Sequence, residues 1–267
     1  MIRIVTTFSR KQWDDYVHKL LPRSIELWPK EVEWQVWLDN YDERYLGKYG
    51  TNVEFRSLSD DPAHELFMQQ WNDRVRRNPA LKHEITVKRY PNGYTLDAGT
   101  FAHKVFALTS EEARNGADWL IFLGSDVETL RAVDMEWLGG VLAGDISHLG
   151  RRDIRSSETD WLAVKITPSR EPCDCEAYDR DLPHWGEMFL DSLRAVYTSG
   201  DIYNYAEWID GHIIARLCTV MAGMGADVSN LSENLPGLDV FERSVLGERL
   251  RHWKGPRGKQ MLMEKLR

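Results

Sequence analysis

The sequence contains few cysteines, no long apolar run and no excess of positive charge. The three cysteines, Cys173, Cys175 and Cys218, provide neither a disulfide framework nor a CxxC metal pair. No apolar run approaches the roughly 20 residues needed to cross a bilayer, so we expect no membrane span. The N-terminal segment also lacks the apolar core of a signal peptide, and we therefore expect a cytoplasmic protein.

Charge and composition limit the class of protein further. The chain has 34 Lys and Arg against 42 Asp and Glu, a net charge of −8, which disfavours a general nucleic-acid coat but allows a local basic patch. With 42% hydrophobic and 28% charged residues, a disordered or fibrous chain is excluded. We find no internal repeat or low-complexity linker and expect one domain over residues 1–267. The 11 tryptophans indicate an aromatic core or a groove for flat ligands.

The spacing of apolar residues predicts alternating strands and helices. Strands are expected at residues 2–6, 32–38, 53–58, 119–123 and 158–166. Helices are expected at residues 11–27, 62–77, 101–114, 135–142, 185–198 and 206–221. Residues 168–184 and 225–240 are expected to be irregular. A helix, a buried strand and a polar turn in succession are typical of an α/β fold, here an open, mainly parallel sheet flanked by helices.

Polar residues lie at the ends of the predicted strands, where open α/β sheets bind ligands. They are Thr6-Thr7, Asp39-Asn40, Ser125-Asp126 and Glu158-Thr159. Asp126 directly follows the buried strand WLIFL on a Gly-Ser turn, so its carboxylate is held rigidly and can ligate a metal ion. The alternative is that Asp126 caps the N-terminus of a following helix.

The C-terminal segment 247–267 is basic and contains the sequence HWKGPRGK. In it, glycines allow backbone N–H groups to approach phosphate, and Lys254, Arg257 and Lys259 can neutralise the phosphate charge. His252 with carboxylate and phosphate oxygens suits a manganese or magnesium site. The segment is thus a candidate phosphate-and-metal clamp, and the alternative is a solvated basic tail.

Two further residues have both a functional and a structural interpretation. Lys104, on the helix before WLIFL, can reach a diphosphate or can be an ordinary surface lysine. Asp210 can act on an acceptor hydroxyl or can be a capping or buried, hydrogen-bonded carboxylate. His103, His184 and His212 lack ligand-like spacing, and we interpret them as structural.

Taken in order, the segments resemble a glycosyltransferase with the GT-A fold. They are IVTTFS, VWLDN, TFAHKVFAL, ADWLIFLGSDV, ETDWLAV, YTSGDIYNYAEWIDGHI and HWKGPRGK, and they extend over most of the chain. The set is similar to the glycogenin and bacterial galactosyltransferase group, and more closely to phage-type glycosyltransferases. The resemblance implies a Rossmann-like GT-A domain that transfers a sugar from a nucleotide diphosphate sugar, a UDP-sugar, to an acceptor hydroxyl with Mn²⁺ or Mg²⁺.

The resemblance assigns roles in the metal and phosphate site. The sequence LGSDV stands where the family carries its DxD metal motif, so Asp126 matches the second aspartate while Gly124 replaces the first. His252 and Gly255 match the C-terminal metal histidine and the phosphate-binding glycine. Lys259 lies one position after the family's phosphate-binding lysine. With one aspartate missing, the enzyme would depend weakly on the metal or use lysines instead.

The resemblance also assigns residues to the donor. Thr6, Thr7 and Asp39 match positions that hold the nucleoside, and Lys104 or, second, His103 matches the basic residue at the diphosphate.

On the acceptor side, Asp210 matches the family's carboxylate and accepts the acceptor's proton if the enzyme inverts. If the enzyme retains configuration, Asp210 or Glu158 only orients groups. Trp208 and Trp253 are each next to a proposed site residue and are candidates for stacking on sugar or base.

Several acceptors are compatible with the sequence. The phage-type resemblance suggests a hydroxymethylated pyrimidine in bacteriophage DNA, modified in the host cytoplasm. Cationic side chains that can meet a DNA backbone are Arg74, Arg76, Arg77, Arg151, Arg152, Arg155 and the basic tail. The alternative is a glycan- or lipid-directed glycosyltransferase. Two further possibilities are a nucleotidyltransferase and a catalytically degenerate nucleotide-binding domain, and Gly124 supports the latter.

Overall fold

Short apolar strands form the centre of the molecule. The computed structural model describes residues 1–39, 49–77, 98–151, 156–166, 184–205, 209–232, 235–236 and 240–266. The strands are β1 (Ile2–Phe8), β2 (Glu33–Leu38), β3 (Val53–Ser57), β4 (Trp119–Leu123), β5 (Val127–Thr129), β6 (Ile146–Leu149), β7 (Glu158–Lys165), β8 (Val228–Asn230) and β9 (Leu250–His252). Seven of them form one sheet in the order β3-β2-β1-β4-β7-β6-β8, and β5 pairs with β9 separately.

The main sheet is mostly parallel but mixed. Strands β3, β2, β1 and β4 run parallel to one another, as expected for an α/β fold. Strand β7 runs antiparallel to β4 and to β6, while β6 and β8 are parallel. Because β7 is reversed, its first residues lie at the same sheet edge as the carboxyl ends of β1 and β4. This reversal brings Glu158 and its neighbours to the ligand-binding edge.

Helices connect and cover the strands. They are α1 (Arg10–Gln12), α2 (His18–Leu27), α3 (Pro62–Arg77), α4 (Ala98–Thr109), α5 (Glu111–Arg114), α6 (Met135–Val141), α7 (Trp185–Thr198), α8 (Asp210–Met224) and α9 (Gly255–Leu266). A π-helical turn, Trp13–Val17, joins α1 to α2. Within the described residues, no helix is both long and apolar enough to cross a membrane.

Two hydrophobic layers cover the sheet, one on each face. Successive side chains of a strand point to opposite faces, so Leu120 and Phe122 of β4 join one layer while Ile121 and Leu123 join the other. The first layer contains buried residues of α4, α7 and α8, and the second contains buried residues of α2, α6 and α9. Burial on both faces explains why β4 is a continuous apolar run rather than an alternating one.

Most of the predicted helices and strands are present, and the strands that the sequence pattern misses are short. Strand β4 and helices α3 and α7 have the predicted bounds. The segment 225–240, expected to be irregular, contains β8, and the pattern also misses strands β5, β6 and β9. The last predicted helix begins at Asp210 rather than residue 206, and residues 206–208 lie outside the described residues. The predicted loop 168–184 lies almost wholly outside them too.

Strand β6 contains a buried histidine that makes stability depend on pH. His148 is 8% exposed, its Nδ1 lies 3.0 Å from Ser157 Oγ, and burial lowers its pKa from 6.5 to about 4. The unfolded chain therefore binds a proton that the folded chain excludes, so stability is complete above pH 6.5 and is lost as pH falls towards 4. We expect His148→Gln to remove up to about 2 kcal/mol of the loss in unfolding free energy between pH 7 and pH 5.

Urea denaturation of both proteins at the two pH values measures this difference. Comparing the variant with the wild type cancels the other groups that titrate in the same range. Equal losses of stability in both proteins would show that His148 does not contribute.

Candidate functional site

Two strand pairings bring the site together at the carboxyl ends of β1 and β4. Across β4 and β7, Leu123 is paired with Trp161, and the next residue, Gly124, donates its N–H to the carbonyl of Asp160 at 3.1 Å. Across β5 and β9, Val127 is paired with His252. These pairings place Asp160 and His252 on either side of the turn that carries Asp126.

Asp126, Asp160 and His252 form a compact group that could hold a metal ion. One ligand atom from each residue lies within 4.8 Å of the other two. His252 Nε2 lies 3.5 Å from Asp126 Oδ1 and 3.2 Å from Asp160 Oδ2. Asp126 and His252 are buried, so the group is largely shielded from water. Asp126 precedes strand β5 and not a helix, so the alternative that it is a helix cap is wrong.

The group is electrostatically coupled. Burial lowers the pKa of His252, but the carboxylates of Asp160 and Asp126 outweigh burial and raise it to about 9. For Asp160, burial raises the pKa, but Lys104 and His252 outweigh it, and the result is a lowered pKa. The pKa of Asp126 is also lowered, because His252 and Lys259 outweigh burial and the repulsion of Asp160. The site therefore presents two carboxylates to a cation.

Lys104 is a largely enclosed part of the site rather than an ordinary surface lysine, with its side chain 15% exposed. Its Nζ lies 3.1 Å from Asp210 Oδ2 and 3.5 Å from Asp160 Oδ1, and it donates to Thr159 Oγ1 at 2.7 Å. The ammonium also lies 4.9 Å from the centre of the Phe122 ring. Burial lowers its pKa, but Asp160 and Asp210 outweigh burial and raise it, so Lys104 stays charged. Lys104 thus links the candidate metal group to the predicted acceptor carboxylate.

The predicted acceptor-side carboxylates are both buried. Asp210 is the first residue of α8, is 2% exposed, and accepts the N–H of Gly211 at 2.8 Å. Glu158 is 4% exposed and forms ion pairs with Arg151 and Lys254. Glu158 is therefore held by two cations.

The basic C-terminal segment is folded against the site, so the alternative of a solvated tail is wrong for its described part. Helix α9 begins at Gly255, whose φ of +67° favours glycine, and its Leu262 is fully buried. Lys259, in the first turns of this helix, lies 3.0 Å from Asp126 Oδ2. The positive end of the helix and Lys254 therefore both border the carboxylates.

The charges around the site nearly balance. Four carboxylates are paired with four lysine or arginine side chains, and His252, whose pKa is raised to about 9, adds one positive charge near neutral pH. The carboxylates are Asp126, Glu158, Asp160 and Asp210, and the cations are Lys104, Arg151, Lys254 and Lys259. Arg151, which was predicted to meet a DNA backbone, instead turns inward to Glu158 with its side chain 10% exposed.

The predicted nucleoside residues lie near the carboxyl ends of β1 and β2. Thr6 and Thr7 are near the end of β1, and Thr6 shares a pocket with Gly124 and Ser125. Asp39 directly follows β2, and its Oδ1 lies 3.8 Å from His103 Nε2. His103 also contacts His64, with 2.8 Å between their ring nitrogens.

The stacking role predicted for Trp253 is wrong. Trp253 is 8% exposed, and its indole N–H donates to Glu128 Oε2 at 3.0 Å. The cations of Arg251 and Lys265 lie 5.3 and 5.5 Å from its ring centre, so protein groups already cover the ring. Trp208 lies outside the described residues, as do Arg152 and Arg155 and the side chains of Arg74, Arg76 and Arg77.

Sequence reasoning missed Asp160. It is the third residue of β7, after Glu158 and Thr159, and the search for polar residues at strand ends singled out only those two. A carboxylate within a buried strand was the available signal, because such a group needs a partner. The chain matches no protein-family model and no curated protein, so its function must be argued from this geometry.

Proposed function

We propose that the protein is a metal-dependent glycosyltransferase that uses a nucleotide diphosphate sugar, preferably a UDP-sugar. The observation that carries the proposal is the buried group of Asp126, Asp160 and His252, bordered by Lys254 and Lys259, at the carboxyl ends of parallel strands. Open α/β sheets bind their ligands at this edge. The mostly parallel sheet flanked by helices is compatible with the proposed GT-A fold.

The donor set fits Mn²⁺ or Mg²⁺. Two carboxylates and one imidazole are borderline-to-hard ligands, and they leave further coordination positions for phosphate oxygens and water. Asp126, Asp160 and His252 would hold the ion, which supplies Lewis-acid stabilisation of the departing nucleoside diphosphate. Thr6, Thr7 and Asp39 would then hold the nucleoside at the ends of β1 and β2.

The lysines and Asp210 complete the proposed site. Lys254 and Lys259 would neutralise the diphosphate charge that develops as the sugar leaves. Lys104 keeps the carboxylates of Asp160 and Asp210 in place through its two ion pairs. Asp210 would accept the acceptor's proton in an inverting reaction, and Glu158 would act by orienting Lys254.

The near balance of charge predicts that metal and donor bind together. A divalent cation alone, or a diphosphate alone, leaves excess charge in a largely buried site, whereas the two together cancel. We expect Mn²⁺ to raise the affinity for UDP by about 5-fold to 150-fold. Isothermal titration with UDP, with and without Mn²⁺, measures this coupling. Equal affinities in the two titrations would contradict the proposed shared site.

A donor panel tests the function itself. UDP-, GDP- and ADP-sugars are each incubated with the protein and Mn²⁺, and both melting temperature and donor hydrolysis are measured. We expect a UDP-sugar to raise the melting temperature and to be hydrolysed slowly. If no nucleotide sugar does either, the protein is not a glycosyltransferase.

Transfer assays then distinguish the acceptors. Hydroxymethylated DNA, unmodified DNA, oligosaccharides and a lipid-linked sugar are supplied with the donor that hydrolyses. The phage-type resemblance predicts transfer to the hydroxymethylated DNA, and transfer to an oligosaccharide or lipid would replace this acceptor assignment while leaving the proposed activity intact.

A further inference from the structure

The side chain of Asp160, on the neighbouring strand β7, leaves room only for glycine at position 124. Gly124 is not among the described glycines with positive φ, so its backbone does not need glycine. A Cβ on residue 124 would lie 2.7 Å from Asp160 Cβ and 2.8 Å from Asp160 Cγ, and one carboxylate oxygen would be closer still. Side chains do not approach so closely. The carboxyl group of Asp160 therefore occupies the volume into which a side chain at position 124 would project.

The Asp160 carboxylate in this volume is directed at the candidate metal group. Its Oδ2 faces His252 Nε2 at 3.2 Å, while its Oδ1 faces Lys104 Nζ at 3.5 Å. One oxygen is thus paired with Lys104, and the other is directed at His252 within the candidate metal group. Asp126, the second carboxylate, comes from the turn after β4, and its Oδ1 lies 3.5 Å from His252 Nε2.

We propose that Gly124 and Asp160 are a matched pair, in which β7 supplies from position 160 the metal-binding carboxylate that position 124 lacks. The inference rests on the metal site of the proposed function and identifies how that site is built. With Asp160 in its present position, residue 124 has no room for a side chain, and the carboxylate that fills this volume belongs to the candidate metal group. Glycine at position 124 is then no sign of a degenerate site, because the missing carboxylate is present in space.

Binding of Mn²⁺ alone, measured by calorimetry without any donor, tests the carboxylate of Asp160. Asp160→Asn keeps the shape of the side chain, and we expect it to weaken Mn²⁺ binding by more than about tenfold, since even outer partners of metal ligands change affinity by this factor. Unchanged Mn²⁺ affinity in this variant, or no Mn²⁺ binding by the wild type, would overturn the proposal.

Melting temperatures without metal test the shared volume. Gly124→Ala should lower the melting temperature, because the new Cβ collides with Asp160. Adding Asp160→Gly should restore much of the lost melting temperature, because the double variant G124A/D160G no longer has the collision. If Asp160→Gly gives no recovery in the Gly124→Ala background, the two positions do not share a volume and the proposal fails.

The exchange of side chains joins both tests. G124D/D160G moves the carboxylate to position 124, and G124A/D160G is its matched control with the same freed volume and no carboxylate. We expect the first to bind Mn²⁺ more tightly than the second by at least about tenfold. Equal affinities would overturn the exchange. If these results hold but no nucleotide sugar is a substrate, the proposed function fails and the matched metal pair stands.

Discussion

Lys104→Met is expected to lower the free energy of unfolding by about 3–5 kcal/mol, because it leaves the buried carboxylate of Asp210 without its cation and Asp160 with only His252. The side chain of Asp210 is only 2% exposed, so water cannot replace the ammonium. Methionine keeps the length and apolar stem of lysine, so most of the loss comes from the uncompensated charge. Urea denaturation at pH 7 measures the change.

Two further variants separate charge from packing. Lys30→Met, at an exposed lysine, is the matched control and should change stability by less than about 0.5 kcal/mol. Adding Asp210→Asn to Lys104→Met should recover part of the loss, because one of the unpaired charges is removed. A loss below about 1 kcal/mol in Lys104→Met would show that the ion pairs do not hold this part of the site.

Asp126→Asn is expected to lower kcat/KM for donor hydrolysis or sugar transfer by about 10²–10³-fold, as for loss of one preorganised group that stabilises the transition-state charge. The amide keeps the size of the side chain but is a poor ligand for Mn²⁺ and a weaker partner for Lys259. The Lys259 side chain is 36% exposed and can turn to water, so the melting temperature should change little. Steady-state kinetics at fixed Mn²⁺ give the ratio.

The control for this experiment is an exposed aspartate that forms none of the site's ion pairs. Asp14 is exposed, and its ion pair with Arg10, at 3.9 Å, is long and open to water. Because such surface pairs contribute little, Asp14→Asn should leave kcat/KM unchanged within about twofold. A loss of less than about tenfold in Asp126→Asn, with the fold intact, would remove Asp126 from the proposed mechanism.

The longer helices and strands were predictable because the spacing of apolar residues within each segment is enough to identify it. Strand β4 is a run of five apolar residues followed by a Gly-Ser turn, and both of its faces are buried. Helix α7 repeats buried residues at helical spacing and has the predicted bounds. Strands β5, β6, β8 and β9 are only three or four residues long, and such segments are recognisable only by the strand with which they pair.

Part of the candidate metal group was predictable for a similar reason. Asp126 lies in the turn that follows the buried strand β4, and a carboxylate in such a turn is visible in the local sequence. Asp160 lies within a strand, so only the antiparallel register of β7 against β4 shows that it faces the turn. Trp253 next to His252 suggested a ring open to a ligand, but its partner Glu128 lies on the distant strand β5.

The sequence by itself determined the α/β character, the apolar strands and the polar residues at their ends, because these depend on neighbours a few positions apart. The tertiary structure decided the direction of β7, the pairing of β5 with β9 and, through them, the grouping of Asp126, Asp160 and His252. Pairing between distant segments depends on the packing of the whole chain. Gly124 shows the difference most clearly. The space beside it is filled by the side chain of Asp160, and no local sequence pattern connects these two positions.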